Sequence, residues 1–463
     1  MPFAQVPFLG YCRQVKSDAK QDFHTFLQNY LRRHPEDVVR IEEKLSADQE
    51  VTALASALAA QGRYPLLLLE NVAGTRVATN LFSSRERIAR LLGCTPADIH
   101  KTYQAKSRRA ANPKLVRRGP VMDIVEKRVD LSKLPLLRHF ETDRAPYITN
   151  AIIVCEQPGN LSYHRAMLHS KTELATSLHS RGHLWRSLEI SKEKKQRLPV
   201  AMVIGAHPLF MLAASARVAY GFDERRIAGG LMGSALEVIR TPKHKIAVPA
   251  AAEFVLEGTL DPQAKVDEGP FGEFTGYSSS RSTNTLFRVD TVLRRRDAIL
   301  VDVLGGNSPE HLNLSRVPRE SEMAEKLMGR FPSVTRLHYP SSGVHFHAYV
   351  ALKAKREGEA RQVMLALLGW DPYVKTVIAV DDDLDVTDDS QVMWALATHF
   401  QPHKDTLVIE GLPGNALDPS ASAAGTTSRM GLDATRGPGF EAVRAKVSER
   451  AMARAQQLLK GLA

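Results

Sequence analysis

The 463-residue sequence holds only three cysteines, Cys12, Cys94 and Cys155, far apart along the chain. They match no zinc-binding spacing, and an odd count argues against a disulfide framework; filling the core is the role expected of them. Long apolar runs are also missing. The densest, "YPLLLLENVAG", falls far short of the roughly 20 residues that a membrane span needs. The opening residues show no basic segment followed by an apolar one, so no signal peptide is expected and the expected location is cytoplasmic. No repeat of fixed period is visible. The basic clusters "KSRRAANPKLVRR" and "RRRD" are not interleaved with aromatic residues. A net charge of +11 therefore does not point to nucleic acid. A positive field suits anionic substrates and phosphate-bearing cofactors equally well.

What is present is an ordinary globular composition, 43% hydrophobic and 24% charged, in a chain long enough for two or three domains. In the first 125 residues "DFHTFLQNYLRRHP", "DQEVTALASALAAQG" and "SSRERIARLLG" read as helices, the last opened by Ser84 and stopped by Gly93. "RYPLLLLENV" reads as a buried strand. The segment 126–312 is richer in strands: "TNAIIVCE", "PVAMVIGA" and "LFRVDTVLRRRDAILVDVLG", the last expected to be a hairpin turning at Arg296 and Asp297. A connecting helix is expected over 313–332. The segment 333–463 returns to α/β, with a strand, acidic loop and helix in "VKTVIAVDDDLDVTDDSQVMWALATHF". "GNALDPSASAAGTTSRMG" reads as a long mobile loop, and "GFEAVRAKVSERAMARAQQLLKGL" as a closing amphipathic helix suited to an oligomer contact.

Chemistry concentrates in the middle. "GNLSYHRAM" carries Asn160, His164 and Arg165; "HSRGHLW" carries His179, Arg181 and His183; "YGFDERRIAGG" carries Glu224. Asparagine, histidine and glutamate are donors that a hard divalent cation such as Mg²⁺ or Mn²⁺ accepts, although polar side chains of this kind also populate ordinary surfaces. "VDEGPFGEFTGY" places Glu268 and Glu273 on a Pro- and Gly-rich loop that cannot be helical. Glycine and proline explain a turn there, but not two acids.

Four ordered segments, "DLSKLPLLRHFETDRAPYIT", "NLSYHRAM", "EGPFGEFTGY" and "TSRMGLDAT", resemble the UbiD-type decarboxylases, which use prenylated flavin mononucleotide (FMN). The resemblance runs from about residue 110 to 435. It implies an N-terminal α/β domain, a central β-barrel-like flavin-binding domain, a connecting helix and a C-terminal α/β domain with an oligomerising helix. It implies a metal held by Asn160, His183 and Glu224 that bridges to the cofactor phosphate: Mn²⁺ or Mg²⁺, with K⁺ as a further candidate. Leu161, Ser162, Tyr163, His164, Arg165 and Gly182 would line the flavin. Arg429 stands where the family has a lysine near the phosphate. The family's Glu–Arg–Glu set falls on Glu268, Arg165 and Glu273. Glu273 would be the proton donor, with Arg165 and Glu268 orienting and tuning it. His311, Arg319 and Phe274 are the expected substrate contacts, with Arg319 suited to a second carboxylate. The implied reaction is reversible, non-oxidative decarboxylation of an aromatic or heteroaromatic acid, of furan, pyrrole or hydroxybenzoate type. The alternatives are a polyprenyl-hydroxybenzoate or phenylacrylic acid decarboxylase, or a non-catalytic flavin-binding subunit. A flavin prenyltransferase would supply the cofactor, and a homodimer or homohexamer is the implied assembly.

Overall fold

The computed structural model describes residues 21–179, 182–353 and 355–460, so Cys12, Arg181 and the end of the expected closing helix lie outside it. Local signals set the N-terminal helices. Asp22 caps Phe23–Arg33 by accepting from the Thr25 N–H at 2.6 Å. Ser84 caps Arg85–Leu92, and Gly93, at φ 73°, ends it in the left-handed conformation. These helices and Glu50–Ala60 cover a four-stranded sheet in the order Val38–Leu45, Leu66–Val72, Thr75–Thr79, Leu300–Val301. Strand periodicity explains the run of four leucines. Leu66 and Leu68 share a core with Phe23 and Ile88, while Leu67 and Leu69 face the opposite core with Val51 and Ala55.

The fourth strand of that sheet corrects one expectation. "LFRVDTVLRRRDAILVDVLG" is not a hairpin. Ser282–Arg294 pairs antiparallel with Phe254–Glu268, from Phe254 opposite Arg294 to Glu268 opposite Ser282. After the turn, Leu300–Val301 crosses to the N-terminal sheet and pairs in parallel with Val77 and Ala78. An apolar segment buried on both faces suits such a pairing, and sequence periodicity does not distinguish it from a hairpin arm.

The central sheet is nine-stranded and mainly antiparallel. Its terminal strands, Tyr147–Ile148 and Asn160–Tyr163, do not pair with each other, so it curls into a half-barrel without closing. The connecting helix is longer than expected, Pro309–Arg330, because Ser308 caps it by accepting from the His311 N–H at 3.1 Å. His311, Arg316 and Arg319 therefore lie on a helix.

The C-terminal unit is a five-stranded sheet in the order Val334–His338, His347–Leu352, Thr376–Asp381, Thr426–Asp433, Thr406–Pro413. The last part of the expected loop 414–431 is in fact a strand, with Met430 opposite Thr376. Its small residues serve close packing: a Cβ on Gly431 would meet Met364 Sδ at 2.9 Å. The closing helix is shorter than expected, Glu449–Lys460; residues 441–448 are irregular, and the described side chains of the helix are exposed. Among the described residues no helix is long and apolar enough to cross a membrane.

Candidate active site

Two clusters of buried polar groups meet the ends of the central sheet. The first begins with the strand Asn160–Tyr163. Alternation sends Leu161 and Tyr163 into the apolar core and leaves Asn160 and Ser162 on the other face. The Asn160 amide donates to Glu224 Oε1 at 3.3 Å, and the Leu161 N–H donates to Glu224 Oε2 at 2.8 Å. His183, the first residue of the helix His183–Glu193 after its cap Gly182, brings Nδ1 to 3.8 Å from Glu224 Oε1. Three separate segments thus converge, as expected of Asn160, His183 and Glu224. Asn160 and Glu224 are buried rather than on the surface. No arginine or lysine among the described residues bonds Glu224. Burial pushes its carboxyl up to about 7, with Asp223 adding to the shift. A buried carboxylate with amide and imidazole neighbours and no protein cation fits a bound metal ion.

Ser162 and His164 support this corner. Ser162 Oγ donates to Asn160 Oδ1 at 2.9 Å and lies 2.8 Å from His164 Nε2, and His164 Nδ1 lies 3.2 Å from the Ser177 carbonyl. Burial lowers the His164 pKa to about 4, so its ring is neutral. Tyr163 donates to the Met211 carbonyl at 3.0 Å. Arg186, one turn after His183, was not singled out from sequence. Its guanidinium lies 4.1 Å from the Tyr220 ring centroid, and the His183 ring meets the same tyrosine edge-on at 5.5 Å. The i, i+3 spacing from His183 was the signal for it.

The second cluster holds the paired acids. Glu268 ends the long strand Phe254–Glu268, and Arg165 grips it with two bonds, Nε to Oε1 at 2.8 Å and Nη2 to Oε2 at 3.0 Å. Asn284 also donates to Glu268, at 2.9 Å. The third nitrogen of the same guanidinium donates to Glu273 Oε1. All three side chains are largely buried, and Glu268 is 0% exposed. Burial is the main cause that raises the Glu273 pKa above the ordinary range; the Arg165 guanidinium opposes it and the Glu268 charge assists it. A single acid held in this way can keep its proton until a carbon needs it.

The turn carrying Glu273 is anchored on both sides. Its backbone closes as Glu273 N–H to Tyr277 O at 2.9 Å and Ser279 N–H to Phe271 O at 2.8 Å. The Gly269–Pro270 peptide is cis. Asp143, which had no role in the sequence reading, accepts the Gly272 N–H at 3.0 Å with one oxygen and the His139 and Phe140 N–H groups with the other. Gly272 is required, since a Cβ there would lie 2.4 Å from the Phe140 ring. Beside Glu273 opens a cavity of about 530 Å³ lined by Thr52, Ser56, Asn80, Phe140, Asn307 and Ser308 among others.

The three expected substrate contacts fare differently. Phe274 is buried in a cage of rings from the C-terminal unit, His345 at 4.7 Å, Phe346 at 5.6 Å and Tyr373 at 6.3 Å between centroids. His311 Nδ1 lies 3.0 Å from the Gly306 carbonyl, and burial, with Arg165 adding to it, lowers its pKa. Arg319 does not offer itself to a carboxylate. It is buried, donates to Asp371 at 2.6 Å and to the His345 carbonyl at 3.0 Å, and lies against Tyr339 and Tyr373. Arg429 is likewise committed: it donates to the carbonyls of Leu368, Asp371, Pro372 and Pro413 within the C-terminal unit, which keeps it from the Asn160–Glu224 corner.

Family models of the 3-octaprenyl-4-hydroxybenzoate carboxy-lyase (UbiD) N-terminal, Rift-related and C-terminal domains match residues 30–106, 114–308 and 313–434. The chain is 35% identical over 385 residues to the anhydromevalonate phosphate decarboxylase of Methanosarcina mazei, covering 82% of this chain and 90% of that one. It superposes on the UbiD-class enzyme HmfF from Pelotomaculum thermopropionicum in complex with FMN with a TM-score of 0.87 and 29% identity, covering 93% and 98%. An evolved dimeric form of HmfF in complex with prFMN gives 0.84 and 27%, covering 93% and 100%. The open form of vanillic acid decarboxylase from Sedimentibacter hydroxybenzoicus gives 0.83 and 27%, covering 96% and 99%.

Proposed function

The chain belongs to the UbiD family of carboxy-lyases, and from that premise we propose that it removes CO₂ from a small phosphorylated unsaturated acid, using prenylated FMN and the proton of Glu273. The observation that carries the reaction is the single guanidinium shared by Glu268 and Glu273. Arg165 spends two bonds on Glu268 and one on Glu273. Glu268 is thereby held in place by the arginine, and Glu273 is left as the acid whose pKa burial raises. Decarboxylation breaks a C–C bond and must form a C–H bond in its place. Glu273 gives that proton to the carbon that has lost CO₂, and recovers one from solvent for the next turnover. Asn160, His183 and Glu224 would hold Mn²⁺ or Mg²⁺ against the cofactor phosphate, with K⁺ as a further ion. Bound prenylated FMN would supply the electron sink that makes loss of CO₂ possible.

The substrate class rests on the curated relative, whose name puts a phosphate and a carboxylate on one small molecule. An aromatic or heteroaromatic acid is the second reading, favoured by the likeness to vanillic acid decarboxylase and by His311 near Arg165. A furan dicarboxylate is the less supported member of that class, because Arg319 is already paired with Asp371. Cofactor supply by a flavin prenyltransferase and assembly as a homodimer or homohexamer complete the proposal. The test is expression with and without a flavin prenyltransferase, followed by CO₂ release from anhydromevalonate phosphate, vanillic acid and a furan acid. Release from the phosphorylated acid alone supports the first reading, and release from an aromatic acid alone replaces it with the second. No flavin uptake and no release from any acid defeats both.

A further inference from the structure

Of the three groups in the acid cluster, Arg165, Glu268 and Glu273, only Glu273 lines the cavity of about 530 Å³ described above. The same lining includes Asn80, which is buried, and Ser56, Asn307 and Tyr277, which are exposed. One void therefore connects solvent with the acid. The helix Glu50–Ala60 leaves room for it. Thr52, Ala55, Ser56 and Ala59, spaced i, i+3, i+4 and i+7 on one face, all line the cavity, and none of the four is large.

The lining suits water rather than an anionic substrate. Among the described residues no lysine, arginine or histidine lines the cavity, and its charged groups are Glu141 and Glu273. A carboxylate or phosphate entering it would find no counter-charge. Hydroxyls and amides offer water both donors and acceptors, and the volume holds a chain of several molecules. Asn160, His183 and Glu224 do not line it, so it is separate from the corner proposed for the metal and the cofactor phosphate. One wall is fixed from behind. Thr52 Oγ1 lies 3.0 Å from His139 Nδ1. The His139 side chain is 0% exposed, and its Nε2 stands 3.4 Å from Asp302 Oδ1. Asp302 in turn accepts from the Thr149 hydroxyl at 2.8 Å and the Thr79 hydroxyl at 3.1 Å. A hydroxyl has one proton to give and two lone pairs. With one contact taken by an immobile imidazole, the rest is offered to cavity water in a fixed direction.

Resting on the reading of Glu273 as the proton donor, we propose that this cavity is the wet passage through which Glu273 regains its proton from solvent, with Thr52, held by His139, as the positioning residue that orders the water in it. The net reaction, RCO₂⁻ + H⁺ → RH + CO₂, consumes one proton per turnover. Glu273 breaks its O–H bond as the C–H bond forms. The carboxylate left behind takes a proton from the nearest water, which takes one from the next, out to solvent.

The test uses holoenzyme loaded with prenylated FMN and whichever acid of the panel above releases CO₂. Ser56→Phe plugs the cavity from an exposed position, Thr52→Val removes the hydroxyl at constant shape, and Thr52→Ser keeps it. Each is measured in single-turnover and steady-state experiments, in H₂O and D₂O. The first turnover uses the proton already on Glu273, so its rate is expected to match wild type in all three. The steady-state kcat of Ser56→Phe falls about 10-fold, short of the roughly 10²- to 10⁴-fold that loss of the acid itself costs. Its solvent isotope effect grows, and KM does not rise. Thr52→Val moves in the same direction by less, and Thr52→Ser behaves as wild type. An unchanged kcat and isotope effect in Ser56→Phe and Thr52→Val overturns the passage; no change in Thr52→Val alone removes Thr52 from it. A raised KM overturns it by making the cavity the substrate's, and a single turnover slowed as much as kcat overturns it by pointing to general damage. Glu273→Gln, run in parallel, separates the two readings: turnover at the wild-type rate there defeats the proton donor, and leaves the passage no acid to serve. A wild type that releases CO₂ from no acid defeats both.

Discussion

The two buried acidic corners of this protein solve the same problem in opposite ways. At Glu268 and Glu273 the chain supplies its own counter-charge, because one arginine reaches both carboxylates. At Glu224 it supplies amide, backbone N–H and imidazole but, among the described residues, no arginine or lysine. The first corner is complete as folded. The second would be completed by the metal ion proposed for it. An internal partner fixes geometry permanently, whereas one taken from solution would make occupancy a condition of function.

The sharpest way to break this contrast is Glu273→Gln. It keeps shape and removes the proton, so kcat should fall by about 10²- to 10⁴-fold while the flavin spectrum persists; turnover near wild type would remove Glu273 from the mechanism. Next comes Arg165→Gln, which strands two buried carboxylates. A loss of about 3–5 kcal/mol in denaturant unfolding is expected, and a melt unaffected by this change would mean the pair is not truly buried. The other corner should answer to a different reagent. Chelation, or Glu224→Gln, should weaken FMN retention roughly tenfold or more in equilibrium dialysis. Added Mn²⁺ should restore the chelated wild type and not the variant. If Arg165→Gln responded to Mn²⁺ in the same way, the distinction between the corners would fail. The smallest effect is on pH. If Glu273 is the proton donor it must be protonated to act, and its pKa is raised, so the alkaline limb of kcat/KM should lie above the usual carboxylate range of about 4. Glu268→Gln removes a charge that raises it, so the limb should move to lower pH; movement to higher pH would contradict the assigned electrostatics.

How much of this was legible in the sequence depends on how far apart the partners lie. The caps Asp22, Ser84 and Gly93 act within a few residues, and their helices form where expected. Asn160, His183 and Glu224, and the set Glu268, Arg165 and Glu273, were found through ordered motifs, since no local rule links Arg165 to acids about a hundred residues away. Arg319 and Arg429 show the limit. Each reads as a cation free to meet a ligand, yet each is bound by groups of the C-terminal unit that nothing near it in sequence announces. Asp143 was passed over for the complementary reason. Its value lies in the Gly272 N–H, and backbone donors leave no trace in a motif.

The ring cage around Phe274 carries a further consequence, for cooperativity. Phe274, the residue beside Glu273, is buried among side chains whose own scaffold is the C-terminal sheet. Local opening of that sheet would uncover Phe274, and the turn from Phe271 to Ser279 would lose its cover in the same event. Amides of the acid-bearing turn and of the strand His347–Leu352 should therefore exchange with solvent as one unit. Inactivation on warming would then be set by whichever half of the molecule loosens first.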